Sequence, residues 1–383
     1  MGGTAVSNIL DYLTWRGDLP IKSVPLNDVD LLVLARMAYA PFDGVVPGDF
    51  ADTKVTLGEA AKSVLKNVAA GKAAFRIDTD ADLLKLLSGS PRFSGLPLTG
   101  YVNRFDENDE EQFSAVTACL PDGGAIIAFR GTDGTLIGWK EDFNMSLADA
   151  VPAQLDAVNY LEAAGLILPG ELSLAGHSKG GNLAVYSAAF CGADLQKRIV
   201  SVRSFDGPGF GERTVRDRGF HEIVERTRTI LPQSSVVGML LEHEEDFSIV
   251  ESRSVSILQH NPYFWEIARS GFLPVETLTN SSQFIDQTLK TWVREMPADL
   301  REKMINGVFS ILSASDGRTL RDLWNGKNTL AVLRAASNLD DETKAVLSEA
   351  FKMLKASAKQ SLPELAKRVL PEQLAALLFE EGK

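Results

Sequence analysis

The sequence predicts an α/β fold, a mostly parallel sheet flanked by helices, and three observations carry that expectation. Strand-like and helix-like stretches alternate from about residue 96 to residue 258. One strand, residues 171–175, runs directly into a glycine-rich turn and then into a helix of small residues. Past Pro274 every periodic stretch is helical. Strands separated by helices need crossover connections, and crossovers give parallel pairing.

Residues 1–90 show the apolar spacing of short helices, with Val29, Leu32, Val33 and Ala35 to Met37 in one stretch and further stripes over 60–68 and 81–87. They are expected to form a helical cover. From about Leu96 the pattern turns to β: 112–119 is strand-like, Pro121-Asp122-Gly123-Gly124 is a turn, and 125–129 reads as a buried strand. Helical spacing returns over 136–148 and 153–166. After the strand 171–175 come a helix over 181–190, a strand over 198–205 that stops at Asp206-Gly207-Pro208-Gly209, and a helix over 212–226. Further strand candidates are 227–231, 247–251 and 254–258. Beyond them, Ile285, Leu289, Trp292 and Met296 share a helix face. So do Met304, Val308, Ile311 and Leu312, and a third stripe holds Val346, Leu347, Ala350, Phe351 and Leu354. These stripes read as helix-packing faces without chemistry. The expected division is one domain over 1–275, with the cover at 1–90 and a core at 91–275, followed by a helical C-terminal appendage over 276–383.

Composition removes several classes of function. The chain has 383 residues, of which 45% are hydrophobic and 23% charged, which argues against a disordered or an integral membrane protein. No apolar run approaches the roughly 18–20 residues that a spanning helix needs. A net charge of −12 repels phosphate backbones, so no nucleic acid partner is expected. Cys119 and Cys191 cannot build a disulfide framework, and the first residues lack the pattern of a secretory signal. A cytoplasmic location is the expectation. Four scattered histidines give no metal-ligand spacing and no phosphate-binding loop is visible, so neither metal nor cofactor is expected. The oligomeric state is left open.

Chemistry concentrates at Gly176-His177-Ser178-Lys179-Gly180, which fits G-x-S-x-G between a strand and a helix. Glycines on either side remove the Cβ atoms that would collide with a serine held in a sparsely allowed conformation. An activated serine needs a base. His177 lies inside the turn, too close for its ring to swing onto Ser178; His221 sits in a charged, helical stretch; His243 sits in an acidic loop. His260 follows the strand candidate 254–258 and precedes Pro262, where a loop can carry a base to the carboxyl edge of the sheet. It is the leading candidate, with His243 next. Asp206, at the end of the strand after the elbow helix, is the leading acid, although an Asp before Gly-Pro also caps turns. Glu242, Glu244 and Asp246 follow it. Two backbone N–H groups should bind the oxyanion: that of Lys179, at the positive end of the helix, and that of Thr132, after the strand 125–129. The apolar segment 236–241, with Met239 and Leu240, and the aromatics Trp139, Phe143, Phe264 and Trp265 are acyl-pocket candidates, and each also reads as ordinary core.

These residues resemble a known family. Phe129-Arg130-Gly131-Thr132, then Trp139 and Asp142, then Gly176 to Ala184 are similar to the class 3 lipase signature of the α/β-hydrolase superfamily. The resemblance covers roughly residues 95–265 and implies an α/β-hydrolase fold, Ser178 as nucleophile and Thr132 as an oxyanion residue. The chain resembles still more closely a bacterial lipase-like family with no assigned substrate. Its members carry the segments found here at 15–18, 206–210, 232–241 and 259–262. Class 3 lipases usually place the acid in an Asp-x-Val-Pro segment after the next strand, where this chain has Ser234 and Ser235. Either Asp206 supplies the acid or the triad is degenerate. The residue after the nucleophile is usually Leu in those lipases; Lys179 here would add a cation near the pocket and favour an acidic substrate. The expected activity is a serine hydrolase cleaving a lipid-like or small-molecule carboxylic ester. Thioester hydrolysis, acyl transfer and a non-catalytic binding or scaffold role on the same fold are the alternatives.

Overall fold

A computed structural model describes residues 7–50, 54–145, 148, 150–314, 322 and 326–369. Eight strands form one sheet whose spatial order follows the chain: β1 (Val55–Thr56), β2 (Pro97–Asp106), β3 (Glu111–Cys119), β4 (Ala125–Phe129), β5 (Leu172–His177), β6 (Ile199–Phe205), β7 (Thr227–Pro232) and β8 (Asp246–Val250). Pairings from β1 to β4 are antiparallel and those from β4 to β8 are parallel. Helices supply the parallel crossovers. The sheet is that of an α/β-hydrolase, mostly parallel and layered on both faces.

Strand periodicity of two decides which layer each side chain joins. Ile126 and Ala128 of β4 face a core with the N-terminal helices, whereas Ile127 and Phe129 face a second core with the helices Pro152–Ile167 and Lys179–Phe190. The N-terminal helices Ile9–Arg16, Asp28–Met37, Leu57–Ala69 and Thr79–Gly89 form the first layer. They are more than the expected cover. Every residue of Asp28–Met37 but the first is buried, including Asp30, which Arg92 pairs at 2.5 Å, and Arg36, which chelates Asp80 at 2.9 and 2.8 Å. Removing Arg92 would strand a buried carboxylate at a cost of about 3–5 kcal/mol.

Three elements depart from the sequence reading. The single helix expected over 212–226 is broken into Glu212–Val215, Arg218–Ile223 and a 3-10 turn Val224–Arg226, because Asp217 accepts the Gly219 N–H at 2.7 Å and starts a new helix. The strand expected over 254–258 is instead the 3-10 turn Ser256–His260. Gln259 holds that turn by donating to the Ser254 carbonyl at 2.7 Å and accepting the Ser234 N–H at 2.8 Å. The helix expected to reach 148 ends at Asn144. The short β1 and the hairpin Ile267–Ala268 with Gly271–Phe272 had no periodicity long enough to be seen.

After the sheet come the helices Asn280–Glu295, Ala298–Leu312, Gly326–Ser337 and Asp341–Val369. Met296, Met304, Ile305, Phe309, Val346 and Ala350 share a small core, and Trp292 Nε1 donates to the Ala350 carbonyl at 2.9 Å. Phe351, placed on the third stripe, is 56% exposed. The Phe309 ring meets Phe143 edge-on at 5.9 Å, so this helical layer leans on the segment that follows β4.

Candidate active site

β5 ends at His177, and Ser178 adopts φ 62° and ψ −135° before the helix Lys179–Phe190 begins. Holding a serine there costs on the order of 1–3 kcal/mol, and the surroundings enforce it. A Cβ on Gly176 would sit 2.0 Å from the Gly180 carbonyl oxygen, and one on Gly180 would sit 2.2 Å from the Phe129 carbonyl oxygen. The Ser178 N–H donates to the Phe205 carbonyl at 2.9 Å, which ties the turn to β6.

Directly after β6, Asp206 is the second non-glycine residue of the site in the left-handed region, at φ 50°. Its carboxylate is fully buried and receives three donors: His260 Nδ1 at 2.6 Å on one oxygen, and Ser235 Oγ at 2.5 Å with the Gly238 N–H at 3.2 Å on the other. A Cβ on Gly238 would lie 2.4 Å from that second oxygen. Of the two serines that stand where the class 3 lipase pattern usually has its acid, Ser235 donates to Asp206. Because an ionised carboxylate only accepts, Nδ1 of His260 carries the proton and Nε2 holds the free lone pair.

The loop bearing His260 is fastened from several sides. Trp265 Nε1 donates to the Gln259 carbonyl at 2.7 Å, and His177 Nε2 donates to the His260 carbonyl at 2.7 Å. Since a carbonyl only accepts, His177 Nδ1 is unprotonated and accepts from the Tyr39 hydroxyl at 3.2 Å. Burial, reinforced by the adjacent His260, pushes the His177 pKa well below 6.5, so the ring is neutral. Tyr39 also accepts the Gly131 N–H at 3.1 Å, linking the N-terminal layer to the Thr132 loop, the elbow and the His260 loop. Sequence reasoning missed Tyr39, whose helical spacing marks it only as core.

Thr132 lies just beyond β4, and its hydroxyl donates to Asp142 Oδ2 at 2.6 Å. Among the described residues, the amide N–H groups of Thr132 and Lys179 have no hydrogen-bond partner, and neither does the Ser178 hydroxyl. Burial raises the Asp142 carboxyl to about 6, with Lys179 and the Thr132 hydroxyl opposing the rise. The residue Lys179 lines the cavity, but its side chain brings no unpaired positive charge to it, contrary to the expectation of a cation that would favour an acidic substrate. Its Nζ is buried, donates to Glu141 Oε2 at 2.6 Å and to the Gln112 carbonyl at 2.8 Å, and is neutralised where it lies. Glu141 in turn accepts the Ala153 and Gln112 N–H groups at 2.9 and 3.1 Å.

Ser178, His260, Thr132, Lys179 and Asp142 line one cavity of about 1670 Å³. Trp139, Leu240, Phe143 and Phe264 line it too. Met239 does not: it belongs to the 3-10 turn Val237–Met239, and Val236, Val237, Leu240 and Leu241 reach the wall instead. Trp265 is fully buried against Phe205 and Phe272, with ring centroids 6.4 and 5.9 Å away, and is core. The opposite wall comes from the C-terminal helices, through Leu289, Trp292, Met304, Val308 and Phe309. An apolar stripe gives no signal that separates a cavity wall from a helix contact.

The remaining histidines are placed as follows. His221 is exposed, 3.8 Å from Glu244. His243 lines the cavity and contacts Glu245 at 2.7 Å through Nδ1, while its Nε2 is buried without a hydrogen-bond partner among the described residues. Burial works to raise the Glu245 pKa, but His243 and the Thr229 hydroxyl outweigh it and hold the carboxyl below its ordinary value. Among the described residues no group of three His, Cys, Asp or Glu side chains is placed to hold a metal ion, and no helix is long and apolar enough to cross a membrane.

The sheet, the elbow and the layers around them define a lipase-like α/β-hydrolase. The chain belongs to the Mbeg1-like family, whose model matches residues 87–310, more than half of its length. Among solved structures it is similar to the native Rhizomucor miehei lipase propeptide complex, with 13% identity over 67% of this chain and 76% of that one, at a TM-score of 0.36. It is also similar to the M37 lipase, with 15% identity over 55% of this chain and 67% of that one, at a TM-score of 0.32. No curated protein matches the sequence.

Proposed function

We propose that the protein is a serine hydrolase that cleaves a carboxylic ester with a lipid-like acyl chain. The observation that carries the reading is the His260 to Asp206 hydrogen bond of 2.6 Å, made in the same cavity wall as a serine held in a strained elbow. In this mechanism His260 Nε2 takes the proton of Ser178 Oγ as that oxygen attacks the ester carbonyl. Asp206 stabilises the imidazolium that forms. The negative charge passes to the carbonyl oxygen, which the free N–H groups of Thr132 and Lys179 receive. Collapse breaks the ester C–O bond, the alcohol leaves with the proton from His260, and an acyl group remains on Ser178. Water, deprotonated by His260, then releases the acid and restores the serine. The Ser178 to His260 hydrogen bond is one that the substrate-bound site has to close, as catalytic contacts commonly do.

The cavity exceeds the roughly 300–1,000 Å³ of ordinary small-molecule sites and is walled largely by apolar side chains, which suits a long acyl chain. The free thiols of Cys119 and Cys191 fit a reducing, cytoplasmic setting. In this reading residues 1–275 are the hydrolase domain and the C-terminal helices complete its acyl site. A fluorophosphonate probe should label the wild type and not Ser178→Ala, and nitrophenyl esters should be turned over only by the wild type. A folded wild type that neither labels nor hydrolyses would overturn the reading and leave a binding role for the cavity.

A further inference from the structure

Three arginines gather around Tyr39, beside the loop that carries Thr132, and two of them have carboxylate partners. Arg36 lies 3.9 Å over the Tyr39 ring and chelates Asp80 through Nε and a terminal nitrogen. Arg130 donates to Asn103 Oδ1 at 3.0 Å and lies 3.8 Å from Asp133. The third, Arg76, sits 5.9 Å over the same ring and lines the cavity together with Ser178 and Thr132. It has no hydrogen bond or ion pair among the described residues. Its residue as a whole is exposed, but the surroundings of its guanidinium lower its pKa, first by burial and then through the like charges of Arg36 and Arg130, with the Asp133 carboxylate opposing them.

The place of that guanidinium is built by the loop. Gly134 turns the chain at φ +89°, and a Cβ there would meet the Arg76 Nε and a terminal nitrogen at 3.7 Å, so the lack of a side chain leaves the group room beside the segment between Thr132 and the next helix. The Tyr39 ring beneath it ends in the hydroxyl that holds the Gly131 N–H. Arg76 therefore lies beside the chain two residues past the proposed oxyanion residue and lines the same cavity, with its planar donors unpaired among the described residues. A guanidinium in such a position matches phosphate or carboxylate with two parallel hydrogen bonds. The charge that the sequence assigned to Lys179 is thus present at the cavity, but on a residue from the N-terminal layer.

We propose that the substrate of the Ser178 site is an anionic amphiphile, an acyl ester with a phosphate or carboxylate close to the scissile bond, and that Arg76 is the residue that reads the anion. This rests on the hydrolase reading for its chemistry, though not for its binding. With the full chain, hydrolysis of a monoacylglycerol phosphate is compared with that of the monoacylglycerol of the same chain length, and hydrolysis of nitrophenyl hemisuccinate with that of nitrophenyl butyrate. The wild type should favour the anionic member of at least one pair, and the pair that does so tells phosphate from carboxylate. Arg76→Gln should lower that preference about tenfold or more, and Arg76→Lys should retain part of it. A preference unchanged by Arg76→Gln overturns the proposal. Calorimetric titration of Ser178→Ala and of Ser178→Ala with Arg76→Gln by dodecyl phosphate separates it from the hydrolase reading. Binding weakened about tenfold by the second substitution supports the anion site even if no ester is cleaved. Equal binding by the two overturns it even if esters are cleaved.

Discussion

Two of the histidines that line the cavity are each bonded to a buried carboxylate, and the pairs are alike as chemistry. His260 meets Asp206 at 2.6 Å and His243 meets Glu245 at 2.7 Å, each through Nδ1. They differ in what surrounds the second ring nitrogen. The His260 side chain is 25% exposed, whereas that of His243 is 10% exposed with its Nε2 buried and without a hydrogen-bond partner among the described residues. They differ as well in how the carboxylate is held: each takes three donors, but His260 has one oxygen of Asp206 to itself, whereas His243 shares its Glu245 oxygen with the Thr229 hydroxyl and the Glu244 N–H takes the other. A hydrogen-bonded imidazole is therefore not by itself a general base; it also needs a reachable lone pair facing the nucleophile.

Replacing each histidine is the strongest way to break this distinction. His260→Ala should lower kcat by about ten-thousand-fold or more, and His243→Ala by less than about tenfold, both read by nitrophenyl ester turnover. A reversed order would assign the base to His243. Next in size, Asp206→Asn should lower kcat by roughly a hundredfold to ten-thousand-fold, because an amide no longer fixes the tautomer of His260. If Ser178→Ala abolishes turnover while Asp206→Asn leaves it intact, the acid lies elsewhere and the enzyme survives. Tyr39→Phe should lower kcat about tenfold with little change in KM, since the lost hydroxyl is bonded to Gly131 and His177.

The carboxyl groups sharpen the contrast through pH. Glu245 is held below its ordinary 4.5, so its contribution to stability is present above that value and is lost as pH falls through the lowered one. Asp142 has the opposite sign. It binds its proton more tightly when folded, so stability falls as pH rises from 3.8 to about 6, by at most about 3 kcal/mol. Asp142→Asn should therefore raise the thermal midpoint at neutral pH and lose that gain in acid. A gain of the same size at all pH values would mean that the charge of Asp142 is irrelevant to it.

Much of this was legible in the sequence because it is local. The strand 125–129, the glycine spacing around Ser178 and the Asp-Gly-Pro-Gly stop at 206–209 each announce a chain reversal at the edge of a sheet, and those edges meet at the cavity. What could not be read depends on contacts between distant segments. Glu141 lies 38 positions from Lys179, and no pattern around either residue shows that they cancel one another. Tyr39 is 138 positions from His177. The 3-10 turn before His260 exists because Gln259 finds Ser234, and a run of Ser-Val-Ser-Ile-Leu in isolation favours a strand. Met239 and Leu240 are adjacent in an apolar run, and only the turn that they enter decides which of them meets the cavity.

The cavity wall made by Leu289, Trp292, Met304, Val308 and Phe309 lies past every residue assigned to bond breaking. One wall of the ligand space is thus separate in sequence from the residues proposed to carry the reaction. In the proposed hydrolase, substitutions in the later helices should change which acyl chains are accepted without altering the hydrogen bonds of Asp206 and His260. The two stretches are joined where Ser282 donates to the Ser235 carbonyl, where the Thr279 N–H donates to the Gln233 carbonyl at 2.7 Å, and where Phe309 meets Phe143.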